Sequence, residues 1–160
     1  MSATVVSSKV LKGGEFLIKE SNYQEMFIPE DFNEEQLMVK GTVKSFVEQE
    51  IIPLTERIEK LEEGLIPQIL ENFAQLGLLG THMPEELGGS NLDYITNTLI
   101  GEEVGPSGSF SVSYNAHTGI GMLPILYYGT EAQKLKYLPK LITGELKSSY
   151  CLTEPSSGSD

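Results

Sequence analysis

From Asn33 to Gly144 the apolar residues of this chain recur three and four positions apart, in runs that open on a capping residue and close on glycine or proline. That spacing stacks side chains on one face of a helix, so most of the chain is committed to packing helices against one another. The first run is the best specified. Asn33, with Gln36 three residues on, has the form of a capping box, and Phe32 stands where it can staple against Leu37. Val39, Val43, Phe46, Val47 and Ile51 then make a buried stripe, with Lys40, Lys44 and Glu48 on the wet side. Pro53 ends or kinks this helix, and Leu54 to Glu63 extends it in a charged, exposed form as far as Gly64.

Ile66, Ile69, Leu70 and Phe73 predict a short second helix, with Pro67 tolerated in its first turn and Gly77 suited to its C-terminal cap. After the turn residues Pro84, Gly88 and Gly89, Asp93 caps a helix that carries Ile95, Leu99, Ile100 and Val104 inward and closes at Gly105 and Pro106. Phe110 to Tyr128 is small or apolar around its whole circumference. It reads as a helix buried on most sides, bent at Pro124, with Gly119 and Gly121 open to close approach by backbone or ligand. Thr130 with Gln133 caps a last amphipathic helix through Leu135 and Leu138, stopped by Gly144. Ahead of these runs, Met1 to Gly14 has no period and reads as a mobile arm, which the cluster Phe16-Leu17-Ile18 is expected to pin down.

Composition narrows function more than fold. Asp and Glu outnumber Lys and Arg by 23 to 11, and a net charge of -12 repels nucleic acid and anionic membrane surfaces. An anionic cofactor or a coenzyme A ester would have to be held locally, by backbone N–H groups, helix N-termini or single lysines. The single cysteine, Cys151, excludes an internal disulfide, and its place in an alternating stretch predicts a buried, inert thiol. No apolar run approaches the ~18 residues needed to span a bilayer. Met1 to Lys12 lacks the apolar core of a secretory signal and the arginines of a transit peptide, so the expected location is the cytoplasm, or the mitochondrial matrix for a processed form.

From Lys147 the pattern changes. Ser148, Tyr150 and Leu152 alternate with Ser149 and Cys151, which predicts the first strand of a β-type domain. Thr153 to Asp160 then sets hydroxyls, a rigid proline and a glycine directly after that strand. Successive N–H groups in such a turn can cradle phosphate oxygens, although on composition alone the commoner reading is a solvated turn. His117 stands mid-helix without a cysteine or carboxylate at ligand spacing, so a hydrogen-bonded core histidine is expected and no metal site. An apolar, glycine-rich helix such as Phe110 to Tyr128 is as often plain core as the wall of a pocket.

Four motifs in order change the balance. The end of the chain, Tyr150-Cys151-Leu152-Thr153-Glu154-Pro155 followed by Gly158-Ser159-Asp160, resembles the flavin-binding signature of the acyl-CoA dehydrogenases. Leu76-Gly77-Leu78-Leu79-Gly80, Pro84 to Gly89, and Tyr127 to Lys140 with its Gln133-Lys134 and Tyr137-Leu138-Pro139 match the same family in the family's order. The resemblance covers roughly Asn33 to Asp160. Within the family it is nearest the very-long-chain branch, on Ser156-Ser157, on Asn115-Ala116-His117 with Gly119 and Gly121, and on the Phe16-Leu17-Ile18 leader.

The resemblance implies an all-α N-terminal helical-bundle domain over residues 33–146, preceded by an arm over 1–32 and followed over 147–160 by the start of a central β-domain. It implies FAD as cofactor, contacted by Tyr150, Leu152, Thr153, Gly158 and Ser159, with Ser159 placed where FAD meets the coenzyme A ester. Gly119 and Gly121 would leave room for the acyl chain. The family reaction is α,β-dehydrogenation of a fatty acyl-CoA thioester. A glutamate removes the α proton, hydride leaves the β carbon for flavin N5, and an electron-transferring flavoprotein is the acceptor. No catalytic residue falls in this chain: the base is expected beyond Asp160, Glu154 belongs to the flavin loop, and Glu102 and Glu103 read as helix-surface charges. The 160 residues alone are expected to be inactive, and the complete protein to be a homo-oligomer. Two alternatives stay open at this stage, a non-catalytic helical binding or assembly module of the same fold and an acyl-CoA oxidase-like flavoprotein.

Overall fold

The box at Asn33 forms as the sequence predicts. The Asn33 side chain accepts the Gln36 N–H at 2.8 Å, Gln36 Oε1 accepts the Asn33 N–H at 3.0 Å, and helix α1 runs Glu34–Phe46. The structure is a computed structural model that describes residue 11 and residues 13–158. Most of the arm expected at Met1 to Gly14 therefore lies outside the described residues. Phe16, Leu17 and Ile18, expected to pin it, are exposed in a short 3-10 turn, so an apolar cluster this small is left without a pocket among the described residues. The expected staple also differs: Leu37 is 51% exposed, and Phe32 instead meets the ring of Phe27 at 5.5 Å between centroids.

The stripe on α1 continues through a wide π turn, Val47–Ile51, and Pro53 sits in the tight turn Ile52–Leu54 that follows. Val43, Val47 and Ile51 are buried, and Val39 and Phe46 pack on them. Helix α2, Thr55–Glu59, is shorter than the expected charged extension, and its Ile58 is buried where exposure was expected. One apolar side chain per turn is enough to dock so short a helix, and the charges around Ile58 mask it in the sequence.

Helix α3, Leu65–Gln75, ends as predicted at Gly77, whose φ of 75° is the left-handed conformation that glycine adopts without steric cost. The Gly77 N–H donates to the Ala74 carbonyl at 2.9 Å and the Leu78 N–H to the Phe73 carbonyl at 3.0 Å, which is a Schellman closure with Leu78 folded back into the core. Helix α4, Tyr94–Val104, is capped by Asp93, which accepts the Thr96 N–H at 2.8 Å; that bond holds the Asp93 carboxyl below its ordinary range. The connection between α3 and α4 folds on itself, with Ser90, Asn91 and Leu92 N–H groups donating to the carbonyls of Gly80, Met83 and Thr81. Gly89 has no space for a Cβ, which would meet the Met83 main chain.

The single bent helix expected from Phe110 to Tyr128 is three pieces: α5, Ser109–Asn115; a π turn, Ala116–Gly121; and α6, Leu123–Tyr128. The break falls ahead of Pro124, because a proline lacks its own N–H and crowds the carbonyl four residues back, here Ile120. Burial on most sides is corrected too. Phe110, Tyr114, His117, Thr118 and Met122 face inward, whereas Val112, Ile120, Tyr127 and Tyr128 are exposed. Composition alone does not separate an apolar face covered by its own domain from one left open. Helix α7, Glu131–Ile142, starts at the predicted Thr130 cap and buries Leu138, Leu141 and Ile142, which turns Leu135 outward.

The strand expected from Lys147 does not form. A strand exists by its ladder, and residues 147–153 find no partner strand among the described residues. The one bridge described there is local, a turn in which Glu154 and Ser157 exchange main-chain bonds of 2.9 and 3.1 Å. The described fold is thus all-α.

Two apolar clusters hold it. The larger joins α1 to α5 around Phe73, whose ring lies 4.9 Å from Phe46, 5.2 Å from Phe110 and 5.3 Å from Tyr114. The smaller joins Met83 and Leu87 of the folded connection to Met122, Leu138, Leu141 and Ile142. Truncating Phe73→Ala is expected to cost about 3–5 kcal/mol, through lost transfer energy and the cavity left behind. The urea midpoint of unfolding measures this, and a loss below about 1 kcal/mol would show that Phe73 is not the hub.

Candidate functional site

Two elements from opposite ends of the second cluster, the π turn and the segment after α7, meet at His117. The ring is 1% exposed. Nε2 lies 3.0 Å from the Leu141 carbonyl, and Nδ1 lies 3.1 Å from the Ser148 N–H. A main-chain N–H can only donate, so Nδ1 is the acceptor and the proton sits on Nε2, donated to Leu141. The Ser148 hydroxyl lies 3.3 Å from Nδ1 and donates to the His117 carbonyl at 3.1 Å. Burial pushes the His117 ring below its ordinary value, the Leu141 bond opposes this, and the nearby Lys147 charge adds to it, so the ring is neutral. The expected hydrogen-bonded core histidine is what the structure has, with both ring nitrogens in use.

The two glycines of the π turn differ. A Cβ on Gly121 would lie 2.7 Å from Ser148 Cβ and 2.8 Å from the Ala116 carbonyl, so Gly121 is what lets Ser148 reach the turn. Around Gly119 the space is open. Val112 and Ile120 stand exposed on the same run, and they leave an apolar face that the described residues do not cover.

Beyond Ser148, Tyr150 and Leu152 are 52% and 66% exposed, and Thr153 and Gly158 are exposed as well. Ser159 lies outside the described residues. Cys151, expected to be buried, is exposed, because the strand that was to turn it inward is not paired. Lys147 makes an ion pair with Glu71 of α3, and this ties the segment to the helices a second time. Glu102 and Glu103 are partnered by Lys40 at 2.9 and 3.4 Å. Among the described residues no group of His, Cys, Asp or Glu is arranged to hold a metal ion, and no helix is long and apolar enough to cross a membrane.

Ser148 was legible only as a strand residue; its partner is 31 positions away, and no local spacing signals such a pair. Tyr114 was likewise not singled out. Its hydroxyl donates to the Leu78 carbonyl at 3.0 Å and joins α5 to the turn after α3, and burial pushes its pKa up to about 12.

The described residues form an all-α helical domain followed by a polar, glycine-containing segment, and comparison with known proteins gives its family. The family model described as acyl-CoA dehydrogenase, N-terminal domain, matches residues 33–145. A "probable acyl-CoA dehydrogenase" of Bacillus subtilis (strain 168) is 47% identical over 154 residues, covering 96% of this chain and 26% of that protein. The mitochondrial very long-chain specific acyl-CoA dehydrogenase of Rattus norvegicus is 42% identical over 122 residues, covering 75% of this chain and 18% of that protein. The crystal structure of an acyl-CoA dehydrogenase complexed with FAD from Bacillus anthracis superposes with a TM-score of 0.87 at 45% identity, covering 93% of this chain and 26% of that one. The chain belongs to the acyl-CoA dehydrogenase family, whose N-terminal helical domain it carries. It spans about a quarter of the length of these two Bacillus relatives.

Exposure of Cys151 has a direct chemical readout. In the native chain the thiol is expected to react with Ellman's reagent about as fast as after denaturation, and protection of about tenfold or more would restore the buried-thiol reading.

Proposed function

We propose that this chain is the N-terminal part of an FAD-dependent acyl-CoA dehydrogenase acting on fatty acyl-CoA thioesters of medium to very long chain. In this reading residues 1–32 are an arm, 33–146 the helical domain and 147–160 the entry to the central β-domain. The observation that carries it is the anchoring of Ser148 at His117. Its two hydrogen bonds hold the terminal segment against the helices while Tyr150, Leu152 and Thr153 stay exposed.

Those residues fit a flavin nucleotide. Tyr150 and Leu152 offer apolar surface, Thr153 offers a hydroxyl, and Gly158 has open space where a side chain would stand. Tyr150, Leu152, Thr153, Gly158 and Ser159 would hold the cofactor, and Ser159 would also meet the coenzyme A ester. When bound, FAD supplies a hydride acceptor at N5. Gly119, with open space around it, would leave room for the acyl tail beside exposed Val112 and Ile120, while Gly121 would shape the same wall by admitting Ser148. Keeping water from that wall raises the basicity that a carboxylate needs to take a weakly acidic α proton. That carboxylate belongs to a glutamate beyond Asp160, so the 160 residues alone carry no turnover. An electron-transferring flavoprotein as acceptor, a homo-oligomer as the complete protein, and a place in fatty acid β-oxidation in a bacterial cytoplasm or a mitochondrial matrix complete the reading.

The complete protein is expected to purify yellow, and anaerobic palmitoyl-CoA is expected to bleach its flavin absorbance. A colourless protein that palmitoyl-CoA leaves unchanged overturns the reading. Thr153→Val removes one hydroxyl donor and is expected to weaken flavin retention by about fivefold to tenfold, measured by equilibrium dialysis.

A further inference from the structure

The grip on Ser148 comes from a histidine that no step of the proposed chemistry uses. Taking Tyr150 to Gly158 as the flavin-contacting run, we propose that His117 is a positioning residue for the flavin: as a neutral imidazole it fixes where that run leaves the helical domain, and as an imidazolium it releases it. Between Leu146 and Glu154, the hydrogen bonds that tie the described residues to the helices are those of Lys147 and Ser148. The Lys147 tie joins two exposed side chains and is weak in water. The Ser148 tie is built into the core. Leu141 fixes the tautomer from one side, Gly121 gives up its side chain to admit Ser148 from the other, and Nδ1 is left as acceptor for one particular N–H.

Protonation has one place to go. Nε2 already carries its hydrogen toward Leu141, so a second proton must sit on Nδ1, where it faces the Ser148 N–H as donor against donor. The charge that acts on the ring favours the neutral form. Lys147 acts on it from the terminal segment and is itself paired with the Glu71 carboxylate of α3. From α7 itself the ring meets the uncharged Leu141 carbonyl. Burial lowers the ring's pKa from 6.5, so the folded protein takes up this proton less readily than the unfolded one. The contribution to holding the segment is therefore complete above about 6.5 and is lost as pH falls through the lowered value.

The test uses the complete protein in three forms: wild type, His117→Asn and His117→Phe. Asparagine keeps an uncharged acceptor near the position of Nδ1; phenylalanine fills the space and accepts nothing. Flavin dissociation constants are measured by dialysis at a series of pH values, and hydrogen exchange of the peptide spanning 145–154 is followed by mass spectrometry. Wild type is expected to lose flavin affinity by up to about tenfold per pH unit once the pH falls below the lowered value of the ring, with lower protection at 145–154, taken against the intrinsic exchange rate at each pH. His117→Asn is expected to lose that pH dependence while it keeps the segment protected, and His117→Phe to show the weak, fast-exchanging state at every pH. Because His117→Phe also changes the core, Ser148→Pro, which deletes the donor outside any helix, provides the same readout with the buried ring in place. Flavin affinity and 145–154 protection that are flat in wild type down to the pH of acid unfolding, or unchanged in both His117→Phe and Ser148→Pro, overturn the proposal. A wild-type protein that never binds flavin sinks the functional reading instead, and the exchange profile at 145–154 then decides the His117 latch by itself.

Discussion

The ring of Phe73 is the contact on which the helical domain depends. It is wholly buried and meets aromatic rings from α1 and α5 at centroid separations near 5 Å, so three helices are located by one side chain. Edge-to-face and tilted rings at this range add about 0.5–1.5 kcal/mol per pair beyond the apolar area they bury. Phe73 is held in turn by the end of its own helix, where its carbonyl closes the Gly77 turn and brings Leu78 back over the same core. Tyr114 locks the far side through its bond to the Leu78 carbonyl. The six residues from Phe73 to Leu78 thus join a helix end to the aromatic cluster.

The second cluster depends on this one and does a different job. Its Ile142 fills the space that Gly80 leaves, and Gly144 at the end of α7 packs against Ala74 and Leu79, so α7 is placed against the first core by two glycines. Once α7 is placed, Leu141 presents its carbonyl to His117, and the chain beyond Gly144 is delivered to the π turn. The widened turn, Ala116–Gly121, points the His117 ring inward while Ile120 stays outside. Packing, electrostatics and the loop that would serve a ligand are linked through this one ring.

Much of this was legible along the chain. The caps at Asn33, Asp93 and Thr130, the stop at Gly77 and the inward residues of α1, α3 and α4 depend on contacts a few residues apart, and their spacing states them directly. The misread positions share a cause. Ile58, Leu135, Cys151 and the exposed half of the run from Phe110 to Tyr128 are defined by what lies across from them, and periodicity says which residues share a face without saying whether that face is covered. The strand read at Lys147 is the clearest case, since alternation is a property of one segment and a strand is a property of at least two.

By itself the sequence determined that the chain is helical from Asn33, where three of its helices are capped, and, through four ordered motifs, the family to which it belongs. These follow from backbone rules that act over one or two turns and from short motifs that need no partner to be recognised. Only the tertiary structure decided that the helix after Phe110 breaks into a π turn, that one of its glycines admits a serine while the other faces open space, and that His117 holds the segment after α7. The hold of His117 on Ser148 joins groups 31 positions apart, and a contact of that range exists only after the cores that bring its two ends together have formed.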